Sequence, residues 1–482
     1  MSDSPRMFEM KEGSSDKFWE ITLDGTSHTV RFGRVGTDGQ TKTKDYGTDA
    51  AAKAAYDKLV KEKTGKGYKE VTGSAGSRQN QAKAAQAKAK DREPFIQAIL
   101  ESPDDPAPYQ VFADWLEDQG DPQAELIRLQ WQLEDEGVKA AERKKLTDRE
   151  TALLKEHQQA LLGDLADDLI KQKGPKDLIY GSKRYYEWQF GRGVLDSLLI
   201  EYLLPDFAKL LRKSSHVSTL RQLKIRNASS GYDLEDTEEY SEQEWDTEDA
   251  PSLKLLNGTA FPNLRVLEVS EDDDFNCHFS TPSIQNLIKG MPRLESLRVD
   301  AHDVNVSAIF KLELPHLRSL TMKHTARRYP LEALGKNESL GQLETLHIYP
   351  HAKSFDDDVE GAYLDLKGIQ GLFRSKCLPA LKHVSLYMCD AGNAGLAEII
   401  KSPMFRQLES LHLIWGTIND EGVELLCNTD LSHLQSLDLT GNYISASGVK
   451  SLKKKFPSVK AGDQYSGVPD EEAEYLFNGD IE

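Results

Sequence analysis

The chain has 482 residues, with 60 Lys and Arg against 79 Asp and Glu, a net charge of −19, and 38% hydrophobic residues. That length has room for about three domains. No run approaches the roughly 18 to 20 apolar residues of a membrane span, which argues against a membrane partner. The first residues, MSDSPRMFEMKEG, have no apolar core and do not read as a signal peptide. Four cysteines, Cys277, Cys377, Cys389 and Cys427, are scattered without a CxxC pair. They fit a reducing, cytoplasmic setting and argue against a disulfide framework or a zinc ribbon. The charge is uneven: residues 1–92 hold 18 basic and 13 acidic side chains, and the remaining 390 residues carry −24. A mildly basic head therefore precedes an acidic body, and binding follows the local patch rather than the total.

In the head, Lys17–Leu23, Thr29–Val35 and Thr41–Tyr46 read as strands, with turn chemistry at Asp24-Gly25 and Asp38-Gly39. Thr48 or Asp49 can cap a helix over Ala50–Lys63, whose apolar stripe is Ala52, Ala55, Tyr56, Leu59 and Val60. The stretch Val30–Gln40 combines Gly33, Gly36 and Gly39 with Arg31, Phe32 and Arg34. An aromatic ring and guanidinium groups beside glycine-opened backbone suit stacking on bases and binding of phosphate. An ordinary strand running into a hairpin explains the same residues. Lys42 and Lys44 alternate along the next strand and so share a face, as phosphate contacts or as a plain solvated edge. Trp19 and Tyr56 read as core.

KFWEI, VRFGRVGTDGQ, the Ala50–Lys63 helix and EKTGKGY together resemble the WGR domain over about residues 6–70. That domain occurs in DNA-dependent poly(ADP-ribose) polymerases, where it binds DNA near a strand break. The resemblance implies a DNA-binding head, with strand ends or nicks as the form recognised. It puts Phe32, Gly33 and Arg34 at the motif positions, with Lys42 and Lys44 beside them. Phe32 stands where the family carries Trp. It keeps a π-face but loses the indole N–H donor.

Residues 73–92, with five basic side chains and one acidic, read as a flexible basic tether. A helical segment follows over 93–192. Phe95–Leu100 and Tyr109–Gln119 are helical in pattern, the second with Val111, Phe112, Trp115 and Leu116 on one stripe. Ala124–Glu136 and a long charged helix from Lys139 to Lys173 complete it. Residues 95–130 resemble a repeat-companion segment of bacterial multi-repeat proteins, which implies a bacterial origin and repeats downstream. Asp114, Glu117 and Glu125 have no His or Cys nearby and read as helix-surface charges.

From 193 to 462 the pattern LxxLxL recurs eight times, beginning at Leu220, Leu264, Leu294, Leu317, Leu343, Leu381, Leu408 and Leu434. This resembles leucine-rich repeats. Each unit gives a short strand and a return, and stacking makes the core. The strands should form one parallel sheet lining a concave face. Gly193–Ile200 reads as a capping first unit. The between-leucine positions Lys224, Glu268, Arg298, Thr321, His347, Ser385, His412 and Asp438 should line that face. Arg226, Tyr349, Tyr387 and Ile414 follow them, with Trp415 at its edge. Exposed aromatics beside mixed charge suit a protein interface. The candidate partner contacts are Arg226, Arg298, His347, Tyr349, Tyr387, His412 and Trp415.

Residues 233–249 carry ten acids and no base and read as a solvated acidic insertion. Asp356–Asp358 lacks the spacing of a calcium loop. His347 and His351 are not on a helix, so their spacing does not imply a metal pair. Residues 463–482 read as an acidic tail with one docking turn. No P-loop, zincin or nucleophile-elbow motif occurs, and no cofactor or metal is implied. The fold class is thus α/β multidomain: a small antiparallel sheet with a helix, a helical adaptor, then a leucine-rich-repeat solenoid. The function implied is a non-enzymatic adaptor, the head on DNA and the repeats on a protein partner. The alternative is a purely protein-binding scaffold.

Overall fold

The computed structural model describes residues 5–12, 15–34, 39–71, 91–174, 184–228, 250–270, 279–301, 303–325, 329–350 and 364–466. Gly36, most of the tether, the 233–249 insertion, His351, Asp356–Asp358 and the 470–482 part of the tail lie outside these residues. The chain separates into two compact units, Met1–Pro94 and Phe95–Glu482.

The first unit is a five-stranded antiparallel sheet carrying one helix. Its strands are β1 (Arg6–Glu12), β2 (Ser15–Asp24), β3 (Ser27–Arg34), β4 (Gln40–Asp45) and β5 (Lys69–Val71), in the order β4-β3-β2-β1-β5. Helix α1 (Asp49–Gly65) is capped by Thr48, whose hydroxyl accepts from the Ala51 amide. Phe8, Trp19, Ile21 and Tyr56 are buried between helix and sheet, with the Phe8 and Trp19 rings 5.4 Å apart. Burial of such side chains stabilises by roughly 1.5–3 kcal/mol each, enough to hold a sheet this small. Only three of the five strands are legible in the sequence. In β1 the neighbours Met7 and Phe8 are both buried, so no polar alternation marks the strand. β5 is three residues long.

The second unit begins with α2 (helical over 91–101), α3 (Pro106–Asp118) and α4 (Gln123–Glu134). Ile99, Tyr109, Phe112, Ala113, Leu116, Ala124 and Ile127 form their shared core. The predicted α3 stripe is rotated: Val111 is 59% exposed, while Tyr109 and Ala113 take the buried positions. Asp114, Glu117 and Glu125 are in ion pairs with Arg128 and Arg149. The long helix predicted to reach Lys173 is broken. Helix α5 (Ala140–Leu162) ends at Gly163, which has a φ of +52°, and α6 (Ala166–Lys171) starts in a new direction. The break turns Leu162, Leu165 and Leu169 into the core of the repeats.

A ten-stranded sheet follows, in simple sequential order from one edge to the other. Its strands are β6 (Tyr186–Gly191), β7 (Val194–Ile200), β8 (Gln222–Ile225), β9 (Val266–Val269), β10 (Ser296–Asp300), β11 (Ser319–Thr325), β12 (Thr345–Pro350), β13 (His383–Tyr387), β14 (Ser410–Ile414) and β15 (Ser436–Asp438). β6 and β7 are antiparallel and every later pairing is parallel, with helical returns between the strands. This is an α/β repeat solenoid. All eight leading leucines are buried, at 5% exposure or less. β6 was not legible as a strand.

One residue after each leading leucine, the backbone forms a continuous ladder. The amides of Arg265, Glu295, Arg318, Glu344, Lys382, Glu409 and Gln435 each donate to the carbonyl of the preceding rung. Their side chains alternate in sign, pairing Arg265 with Glu295, Arg318 with Glu344, and Lys382 with Glu409.

The helical segment is bolted to the first strands. Buried Gln130 donates to the Phe190 carbonyl at 2.9 Å and accepts from the Gly193 amide at 2.6 Å. Gly193 is required there: a Cβ would lie 2.1 Å from Ile127 Cγ1, and its φ is +80°. Arg192 grips Glu134 with two hydrogen bonds, reaches the Pro103 carbonyl, and lies 4.4 Å above the Trp131 ring. Arg192→Ala should therefore lower the stability of this unit by about 2–3 kcal/mol, below the value for a fully buried pair because Glu134 is 39% exposed. Arg192→Lys should recover less than half, because it cannot make the forked contact. Chemical denaturation of the full chain measures both.

Candidate functional site

Two surfaces collect the residues singled out by sequence, one in each unit. In the head, strand register decides which side chains meet. The rows Trp19–Phe32–Gln40, Ile21–Val30–Lys42 and Leu23–His28–Lys44 cross β2, β3 and β4. Phe32, Lys42 and Lys44 therefore share the face that carries α1. Lys42 Nζ lies 5.8 Å from the Phe32 ring centre and Lys44 Nζ lies 5.1 Å from that of Tyr46. Lys63, near the end of α1, sits 5.7 Å from the Trp19 ring and 5.0 Å from Tyr68. Three ammonium groups thus border one strip of aromatic rings.

Burial and the Lys44 charge keep His28 below the usual histidine range. Burial, then Lys66, lowers Lys63. Phe32 is half-buried against the Trp19 core rather than fully presented, because the rings of β2 and β3 pack side by side. Arg31 does not join Phe32. It lies on the opposite face, paired with Glu20 at 3.3 Å and 5.1 Å from the Phe18 ring. Arg34 ends β3 opposite Lys17, and its side chain is outside the described residues. Gly33 pairs with Phe18. Gly39 admits no side chain, since a Cβ would lie 2.6 Å from Phe18 Cζ and 2.7 Å from the Phe32 carbonyl oxygen. Lys63 and Tyr68 were not singled out by sequence. The signal was their place at the end of α1, one turn from the aromatic sheet face.

In the repeats, the between-leucine residues form one file across the open face. Lys224, Glu268, Arg298, Thr321, His347, Ser385, His412 and Asp438 are paired rung to rung. The candidate partner contacts divide. Arg226 and Arg298 lie toward the first strands, paired with Glu201 and Asp300. Lys224 pairs with Glu268 at 2.8 Å. The aromatics converge farther along. Tyr387 stacks on Tyr349 at 4.8 Å and on His347 at 5.1 Å, and Trp415 meets both tyrosines edge-on at 5.4 and 5.3 Å. His412 is hydrogen-bonded through both ring nitrogens, to Ser385 and Ser436.

The expectation of exposed aromatics needs correction. Tyr349 is only 5% exposed, because rungs about 4.8 Å apart match the spacing of stacked rings. Tyr387 and Trp415 supply the accessible part. Lys323, missed by sequence reasoning, stands opposite Tyr349 with its ammonium 5.8 Å from the ring. Met388 and Trp415 hold equivalent positions in consecutive repeats and both have positive φ, 52° and 51°. The next repeat has Gly441 there, at 65°. A non-glycine residue in this conformation costs about 1–2 kcal/mol, and such strain clusters where a surface has a use.

An open groove of about 590 Å³ lies elsewhere, between Phe310–Pro315 and Glu332–Ser339, lined by side chains of both charges. Among the described residues no group of three or more His, Cys, Asp or Glu could hold a metal ion, and no helix is long and apolar enough to cross a membrane.

Residues 4–75 match the family model of the WGR domain. Residues 406–427 and 430–453 match that of the leucine rich repeat. The chain has an N-terminal WGR domain and C-terminal leucine-rich repeats. Both families are binding domains, not catalytic ones. The aromatic strip with Lys42, Lys44 and Lys63 lies within the WGR domain, and Trp415 falls in the first matched repeat. None of the curated proteins matches the chain. A crystal structure of a Bacteroides fragilis protein is similar at 17% identity and a TM-score of 0.37, over 96% of this chain and 98% of that one. A likeness that loose carries no argument about fold or function.

The file has a pH signature. Burial, with the charges of Lys323 and Arg298, pushes His347 down to about 4. The folded chain therefore favours neutral His347, and the unfolded chain binds the proton first as pH falls below about 6.5. Stability should be unaffected above that pH, decline between pH 6.5 and 4, and lose about 2–3 kcal/mol in all. His347→Asn should remove this slope, read as the difference between the two proteins in denaturation midpoints from pH 7 to pH 4.5.

Proposed function

We propose that the chain is a non-enzymatic adaptor whose WGR domain binds DNA and whose leucine-rich repeats bind a protein. The observation that carries this reading is the cation-bordered aromatic strip on the α1 face of the WGR sheet. Phe32, Lys42 and Lys44 share that face, with Gly33 and Arg34 at the motif positions. A nucleic-acid strand needs π-faces for bases and ammonium groups for phosphates, and the strip offers both within one sheet edge. The head's charge of +5 in residues 1–92 favours the same ligand against a chain that is acidic elsewhere. On the repeats, the Tyr349, Tyr387 and Trp415 cluster supports a protein contact. Aromatic anchors in a partly desolvated patch supply most of the energy in such interfaces. His347 and His412 sit beside it, and Arg226 and Arg298 extend the face.

The scaffold reading, in which the head also binds protein, is favoured by one feature. Phe32 is half-buried under Lys42, which leaves less ring to stack on a terminal base.

Binding of the full chain to nicked, blunt-ended and closed circular DNA over a salt series separates these readings. Preference for nicked or blunt DNA supports end recognition. Equal binding to all three reduces the contact to general phosphate attraction. No binding at low salt sinks the DNA reading. Lys42→Ala and Lys44→Ala should each weaken binding and lower the slope of log K against log salt by about 0.9.

A further inference from the structure

The aromatic patch on the repeats has a candidate occupant in the same chain. The last described residues run along its rim. The Gly441 amide donates to the Gly462 carbonyl at 3.1 Å, and the Tyr465 amide to that of Asn442 at 2.7 Å. Gly441 is the rung after Trp415, close enough that a Cβ on it would lie 2.2 Å from Trp415 Cδ1. The chain therefore leaves the solenoid two rungs from Trp415, about 10 Å at ordinary strand spacing. Residues 467–482, GVPDEEAEYLFNGDIE, contain six acids, no base, and the apolar run Tyr475-Leu476-Phe477. Extended, they span up to about 50 Å. Arg298, six strands from the Gly462 rung, is about 30 Å away.

The order of chemistry in the segment matches the order on the face. Lys460 lies beside Asp438 at the last rung. Trp415, Tyr387 and Tyr349 follow, and then Lys323 and Arg298. In the segment, Asp470–Glu474 come first, then the apolar run, then Asp480 and Glu482. The positive charges of Lys323 and Arg298 also act on the middle of the patch, where they help keep His347 unprotonated.

We propose that residues 467–482 lie across the open face of their own repeats, with Tyr475, Leu476 and Phe477 on the Tyr387–Trp415 patch and Asp480 and Glu482 toward Lys323 and Arg298. The segment then competes with any protein that uses the same patch. The proposal shares its surface with the partner reading above but needs no partner, so the two fail separately.

The test compares the full chain with a chain ending at Ser466, using a labelled peptide of residues 467–482 and fluorescence polarisation. The shortened chain should bind the peptide. The full chain should bind it at least about tenfold more weakly, because a short tether gives the attached segment an effective concentration in the millimolar range. Trp415→Gly in the shortened chain should cost about tenfold or more. That change relaxes the positive φ, as Gly441 does in the next repeat, so the fold is kept. Lys323→Glu should weaken binding several-fold, an effect that fades with added salt.

Failure of the shortened chain to bind, equal binding by both chains, or equal binding of a scrambled peptide would each overturn the proposal. So would dimerisation of the full chain that is lost on shortening, since the segment would then act between copies. A partner that binds residues 95–482 without competing with the peptide would also count against it. Absence of any partner would leave the peptide result intact.

Discussion

The repeats depend on register, and register is set at the sheet edge where Arg265, Glu295, Arg318, Glu344, Lys382 and Glu409 stand in line. Each amide is tied to the carbonyl one rung back, and the side chains alternate in sign. Exposed ion pairs contribute only about 0.2–1 kcal/mol each. Burial of the eight leading leucines, at roughly 1.5–3 kcal/mol apiece, is therefore the larger stabilising effect. What the charges add is discrimination. A slip by one repeat would bring like charges together along the edge, while the leucines, being alike, would hardly register it. Every other placement in the unit follows from this: the file Lys224 to Asp438 is straight only because the rungs do not slip.

The same regularity explains what the sequence discloses. Period and leucine spacing alone identified the core of each repeat and the file on the open face. Ring packing was not legible. Nothing in the spacing of Tyr349, Tyr387 and Trp415 tells that they bury one another instead of standing exposed. Nor could spacing reveal that Trp415 and Met388 adopt a left-handed backbone. The misses elsewhere have similar causes. Val111 fits a helical stripe on paper, but Tyr109 and Ala113 fix the buried side of α3. Gly163 looked tolerable inside a long charged helix until Leu165 and Leu169 were drawn into the core of the repeats. β1 hides its pattern because Met7 and Phe8 are buried on opposite faces. In the head, alternation did identify Lys42 and Lys44 as neighbours. It took the register with β3 to join them to Phe32 and to separate Arg31 from that group.

The two units solve the problem of holding a cation near an aromatic ring in different ways. In the WGR domain, Lys42, Lys44 and Lys63 come from an edge strand and a helix end and reach inward over rings that belong to the core. In the repeats, Lys323 faces Tyr349 across two neighbouring rungs of one sheet. The first arrangement relies on a single hydrophobic centre. The second can be repeated along the solenoid, because each rung offers the same geometry to whatever residue occupies it.

Trp415 and Gly441 hold the same place in consecutive repeats and share the same backbone twist. One fills the rim with an indole and the other leaves it bare. That position is a socket: its occupant can change without touching a single core leucine, so the face can be rewritten one rung at a time. The limit is energetic. At about 1–2 kcal/mol for each bulky residue forced into that twist, a protein of ordinary marginal stability can furnish only a few sockets. Two filled in succession, at Met388 and Trp415, mark the stretch of rim where variation between related chains would alter binding most and folding least.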